Sequence, residues 1–306
     1  MYIPYLYTKT FELASIKELL EKDIIKKDLV YPLLSTYSTR GLRSTIELFK
    51  NKEYPIFFVL NPNYKFSESY NEVEFNKIKE LAYEDNSIIP TYWITNYIDN
   101  SEIKKLRGLE KYYAIIHGNP LPDNLEKEIE NDNVYRIYID NNLEIESNKD
   151  IEIVDGFIKE ERSDDYKKFS NFNSRIFSYE RRGLTGFGDY QAIGRKIQKG
   201  GISPNFIVIN ITYKENKKLY IRHFKSDEKE KHSTTDPLPI KFKYVHDIIS
   251  KEIEEEKYTM TEGLKQLLGL KEHFPGLGKL KQFSIMHHIE FMQGELKELI
   301  DRKNIK

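Results

Sequence analysis

Apolar residues in this chain fall into short runs, each followed by a stretch in which apolar positions recur every three or four residues. YIPYL (2–6) is followed by Leu13, Ile16, Leu20 and Ile24, and LVYPLL (29–34) by Leu42, Ile46 and Phe49. YPIFFVL (54–60) precedes Phe75, Ile78 and Ala82, and SIIPTYWI (87–94) precedes Ile103, Leu106 and Leu109. YYAIIH (112–117) precedes Leu125 and Ile129, and VYRIYI (134–139) and IEIV (151–154) follow. The runs have strand length and the spaced positions have helical period. Ser69-x-x-Glu72 and Asp123-x-x-Glu126 carry capping-box spacing at two of the expected helix starts. Seven strands alternating with five helices predict an α/β fold with buried parallel strands.

The alternation then loosens. The polar NNLEIESNKD (141–150) is short for a crossover helix, so an irregular connection is expected there. A long connection over 155–204 contains the glycine-rich GFGDYQAIG (186–194). NFIVINITY (205–213) and KLYIRHF (218–224) flank KENK and predict a β-hairpin. With FIVIN as an eighth strand, the pattern predicts a (β/α)8 TIM-barrel-like fold. In this reading the glycine-rich loop is an insertion over the barrel mouth. An open doubly wound sheet is the alternative. Phe242, Val245, Ile249 and Ile253 mark another helix. Thr259-x-x-Glu262 opens one more, and a last helix from about 279 carries Ile285, Ile289, Met292, Leu296 and Leu299. The expected division is a barrel domain over 1–256, with 155–204 inserted, and a helical extension over 257–306 packed on it.

Composition narrows the chemistry. Lys and Arg number 48 against 49 Asp and Glu, so no overall field draws nucleic acid or an anionic membrane, although local basic patches keep nucleic acid open. The chain has no cysteine, which removes thiolate chemistry and suits the cytoplasm, the expected location. No apolar run approaches the roughly 20 residues that span a bilayer, and the opening MYIPYLYTKTFE does not read as a signal peptide.

Barrel ligands sit at the carboxyl ends of the strands. The polar residues expected there include Lys9, Glu12, Ser35, Thr36, Asn61, Asn63, Asn96, His117, Asn119, Asp140, Asp155 and Asn210. Ordinary turn and cap roles explain such residues as well as ligand binding does. His117, Asp155 and Asp189 are the candidate catalytic set, since two carboxylates and an imidazole suit acid–base work or a divalent cation. No spacing requires them to meet, so the metal ligands and any cofactor stay unassigned. Gly186, Gly188 and Tyr190 belong to the glycine loop, whose backbone N–H groups could cradle an anion. Arg222 and His223 lie on opposite faces of the expected hairpin strand and are further ligand candidates. His287 and Glu290, three apart on the last helix, can share a face, but a metal needs more ligands than that pair.

Several blocks together resemble the phage beta-protein superfamily, in its bacterial branch of stand-alone proteins. They are YIPYLYTKTFELASIKEL at the start, FFVLNPN, GFGDYQAIG, YIRHFKSD and the tail FPGLGKLKQFSIMHHIE. Tyr7-Thr8-Lys9-Thr10 stands where relatives carry an Arg-Gly-Lys-Gln-like turn, so the arginine is missing. The resemblance implies a barrel and a role in bacterial anti-phage defence, with a protein partner encoded nearby. Two other functions stay open: a metal-dependent hydrolase or phosphodiesterase-like enzyme, and an accessory subunit docking a partner through its C-terminal helices.

Overall fold

The structure is a computed structural model that describes residues 1–62, 64, 66–95, 98–118, 120–130, 132–139, 150–197, 204–227, 235–254, 257–271 and 273–304. The expectations for Asn63, Asn96, Asn119, Asp140 and the crossover over 140–149 lie outside these residues. The first elements in chain order are β1 (Tyr2–Leu6), α1 (Thr10–Glu21), β2 (Leu33–Leu34), α2 (Leu42–Asn51), β3 (Ile56–Val59) and α3 (Glu72–Glu84). Next come β4 (Ile88–Trp93), α4 (Asn100–Arg107), β5 (Tyr113–His117), α5 (Asp123–Ile129), β6 (Val134–Ile139) and β7 (Asp150–Val154). The chain continues through β8 (Phe169–Asn171), β9 (Gly186–Asp189), β10 (Val208–Glu215) and β11 (Lys218–Lys225). It ends with α6 (Leu238–Glu252), α7 (Glu262–Gly269) and α8 (Leu277–Asn304).

Strands β1 to β7 and β9 pair in parallel and close into an eight-stranded barrel, with β9 between β7 and β1. The expected (β/α)8-like architecture is therefore present, but the eighth strand is Gly186–Asp189 and not FIVIN. The reason lies in the partners available. Residues 208–215 turn directly into 218–225, with Asn216 and Lys217 both at positive φ (50° and 60°), the geometry of a tight hairpin. That gives β10 an antiparallel ladder eight residues long with its nearest neighbour in sequence. The glycine segment instead fits a crowded slot. A Cβ at Gly188 would lie 2.3 Å from the Ile3 carbonyl oxygen and 2.9 Å from Ile153 Cγ1. Glycine is what allows β9 to close the ring, so Gly186 and Gly188 form barrel wall, not an anion-cradling loop.

The chain divides into two compact units, one of Met1–Val154 with Arg175–Asp189, the other of Asp155–Ser174 with Tyr190–Lys306. The boundary is thus not at residue 256. The hairpin and α6 group with the C-terminal helices, because β10 and β11 pair with β8 in a three-stranded antiparallel sheet of order β10-β11-β8.

Within the barrel unit, paired positions of neighbouring strands share a face. Tyr5 meets Trp93, and Phe57 meets Tyr135, between strands that are not adjacent in the ring, which marks these positions as interior. The register then carries Ile3, Leu33, Ile89, Ile137, Ile151, Gly186 and Gly188 to the same face. Tyr2, His117, Tyr138, Glu152, Phe187 and Asp189 alternate to the outer face. Helix starts follow local chemistry but not at every expected residue. Asn71 caps α3 by accepting from the Glu74 N–H, and Thr261 caps α7 by accepting from Leu264 N–H. Pro122 precedes α5. Asp99 caps α4 with bonds from Ser101 and Glu102. No described helix is long and apolar enough to cross a membrane.

Candidate functional site

The carboxyl ends of β1 to β4 gather an aromatic group. Tyr5 lies 5.1 Å from Tyr7 and 6.4 Å from Trp93, Tyr64 lies 5.3 Å from Tyr7 and 6.4 Å from Tyr37, and Lys9 sits 5.2 Å above the Tyr37 ring. Tyr5 and Tyr7 are buried, whereas Lys9, Tyr37, Tyr64 and Trp93 are half-buried. The Tyr64 hydroxyl turns inward to donate to Ser35 Oγ at 2.7 Å, and burial holds its pKa well above the usual tyrosine value. Asn61 is engaged with the backbone of β4: its amide donates to the Trp93 carbonyl and accepts from the Trp93 N–H. It positions Trp93.

The β1–α1 turn beneath this group is strongly determined. Thr8 has φ 54°, a costly conformation for a β-branched residue. Its buried hydroxyl donates to the Ser38 carbonyl and accepts from the N–H groups of Tyr37 and Ser38. Glu12, expected at the ligand face, is buried and accepts from the Tyr7 N–H at 2.6 Å. Glu12 therefore braces the turn, and of the two charges proposed there Lys9 is the half-buried one. Strain of this kind persists where surroundings over-determine it, commonly beside functional sites.

The barrel unit does not assemble the expected acid–base set. His117 and Asp189 both alternate to the outer face, on strands separated by β6 and β7. The Asp189 carboxylate accepts from the Tyr2 hydroxyl at 2.9 Å, and His117 packs 4.4 Å from the Tyr138 ring. Asp155 belongs to the second unit, where its carboxylate accepts from the N–H groups of Phe157 and Arg195 and shapes a loop. Among the described residues no group of three His, Asp or Glu could hold a metal ion. The outer face is instead closed by ion pairs: buried Glu152 takes two contacts from the Arg182 guanidinium and one at 3.4 Å from Arg175. Arg182 is thereby committed to Glu152.

In the second unit, Arg222 is fully buried and grips Glu252 of α6 bidentately at 2.9 and 2.8 Å, with its guanidinium 4.2 Å from the Phe224 ring. Burial alone would raise the Glu252 pKa. The bonds from Arg222 and Tyr258, with the Arg222 charge, outweigh it and bring the value to about 2. Arg222 is thus a structural cation, not a ligand contact. Tyr190 is also buried. His223 faces the opposite side of β11, with Ser170 Oγ 2.8 Å from Nε2 and Asn210 Oδ1 2.8 Å from Nδ1. Burial, reinforced by the charges of Arg222 and Lys225, lowers its pKa to about 4.

The adjacent histidines of α8 close the same unit. His287 Nε2 lies 2.8 Å from the Thr212 carbonyl, which only accepts, so that nitrogen carries the proton and Nδ1 accepts from the Thr261 hydroxyl. Burial lowers its pKa to about 4. His288 Nδ1 pairs with Thr212 Oγ1 at 2.6 Å, and Glu290 accepts from the Glu262 N–H at 2.7 Å. Together they bind α8 to β10 and α7.

Sequence reasoning missed Tyr5, Tyr7, Tyr37, Tyr64 and Trp93 as a group, and Ser170 altogether. The former were visible as aromatic residues at or just past strand ends; Ser170 had no signal before β8 was known to be a strand. Comparison with protein-family models, with curated proteins and with solved structures finds no match to this chain.

Proposed function

We propose that the protein binds a planar, polar ligand at the carboxyl ends of barrel strands β1 to β4 and acts through that site in bacterial anti-phage defence. The observation that carries the ligand site is the wall of half-buried rings, Tyr37, Tyr64 and Trp93, beside Lys9 on a strained turn. Ring faces favour stacking, and an ammonium group beside them favours a ligand with an anionic substituent. The defence role is supported by the resemblance of the sequence blocks to the phage beta-protein superfamily.

Trp93 is the sole tryptophan of the chain, so its emission reports on this site directly. Titration with nucleosides, nucleotides and aromatic carboxylates should give a saturable change in Trp93 emission for at least one class. Tyr37→Ala and Lys9→Ala should weaken it tenfold or more. A flat response across the panel would remove the ligand reading. Phage challenge of cells carrying the gene alone, with its neighbour, or as Tyr37→Ala tests the biological role separately. Equal plaquing in all cases would sink the defence reading in that host.

A further inference from the structure

We propose that Ser170, His223 and Asn210 form an acyl-transfer centre in the second unit, which hydrolyses a carboxylic ester by attack of the Ser170 hydroxyl. The three residues lie in a row on adjacent strands β8, β11 and β10, and Asn210 and His223 are direct cross-strand partners. The orientation of each group follows from the bond beyond it. The Asn210 amide donates from Nδ2 to the Ala192 carbonyl at 3.2 Å, so the atom turned to the imidazole is Oδ1. An amide oxygen only accepts, hence His223 Nδ1 carries the proton. Nε2 is left with its lone pair and accepts from Ser170 Oγ at 2.8 Å. This is the order of contacts required of an orienting group, a general base and a nucleophile.

His287 provides a contrast within the same unit. Both of its nitrogens are closed by buried partners, Thr261 and the Thr212 carbonyl. His223 is buried under the rings of Tyr166 and Phe157, at 4.9 and 5.9 Å, but its Nε2 partner is a half-buried serine on the outermost strand of the sheet. Burial keeps the imidazole unprotonated at neutral pH, the state in which it can accept a proton. A donor for the developing oxyanion is also at hand. β8 bonds to β11 through the Lys168 carbonyl and the Phe172 N–H, so by ladder alternation the Asn171 N–H turns away from β11, to the edge that no other described strand pairs with. Asn171 is exposed and directly follows the nucleophile.

The reaction balances with water as the co-reactant. The Oγ–C bond forms as the Ser170 proton passes to His223 Nε2, and the bond from carbon to the alcohol oxygen breaks as that proton passes to the leaving group. Water then repeats the sequence on the acyl-serine, releasing the acid and restoring the hydroxyl.

The full-length protein treated with a fluorophosphonate probe should gain one adduct, mapped to Ser170 by peptide mass, and should hydrolyse p-nitrophenyl acetate. Ser170→Ala should abolish both with an unchanged unfolding midpoint. His223→Gln should slow labelling 100-fold or more. Asn210→Asp places a carboxylate behind the imidazole and should speed labelling about tenfold or more, an effect that a purely structural histidine would not show. The proposal is overturned if wild-type Ser170 takes no adduct, or if Ser170→Ala turns over ester at the wild-type rate.

Discussion

Single residues here show how position overrides residue type. Two histidines 64 positions apart in sequence, His223 and His287, are both driven to a pKa of about 4 by burial. Each binds fewer protons in the fold than in the unfolded chain, whose histidines titrate near 6.5. Their stabilising contribution is complete above pH 6.5, falls as pH drops toward 4, and then levels off. Glu252, held down at about 2, adds its own loss only below its ordinary value of 4.5. Between pH 6 and 5 the histidines therefore dominate, with a slope approaching about 1.4 kcal/mol per pH unit for each. Denaturant unfolding of His223→Gln across that window should show the slope reduced by about one proton; an unaltered slope would mean that His223 is charged in the fold. Gly188 makes a second case. Alanine there would place a methyl group against the Ile3 carbonyl and Ile153, and should cost about 1–3 kcal/mol in chemical denaturation. A neutral result would show that the barrel wall yields at β9.

Among elements, helix starts separate what local spacing specifies from what the chain adopts. The spacing Ser69-x-x-Glu72 promises a cap two residues early; the side chain that caps α3 is Asn71, bonded to Glu74 N–H. Asn71→Ala should lower stability by about 1 kcal/mol and Ser69→Ala should leave it nearly unchanged, as read from urea midpoints. The reverse ranking would place the cap at Ser69. α8 offers a larger test. Its stripe of Ile285, Ile289, Met292 and Leu296 is fully buried, and Gly263 of α7 lies so close that a Cβ would come 2.4 Å from the Phe283 carbonyl oxygen. Ending the chain at residue 276 should therefore unfold the β10-β11-β8 sheet, visible as collapse of its amide signals by NMR. A truncated protein that retained those signals and lost only a partner would restore the accessory-subunit reading of the C-terminal helices.

For the molecule as a whole, the contacts divide into two units, and Trp93 reports on the barrel unit alone. Urea unfolding followed by Trp93 emission and by far-UV ellipticity should give different midpoints. Coincident transitions would mean that the two units melt as one.

The alternating pattern of runs such as YIPYL, YPIFFVL and YYAIIH determined the α/β class, seven of the eight barrel strands and most helices, because both periods are local properties of the chain. Abundant apolar runs and balanced charge likewise pointed to a packed, near-neutral protein. Tertiary structure alone decided the eighth strand. Nothing local marks Gly186–Asp189 as β, and it becomes a strand because a narrow slot between β7 and β1 admits glycine and rejects a Cβ. Tertiary structure also decided which polar residues could meet. A one-residue shift along a strand reverses the face, so His117 and Asp189 turned away from the barrel interior although they stood near strand ends. Ser170 met His223 and Asn210 because β8, distant in sequence, was brought beside the β10–β11 hairpin. Hydrophobic period is written in neighbouring residues, whereas register and side-chain convergence depend on partners that lie far along the chain.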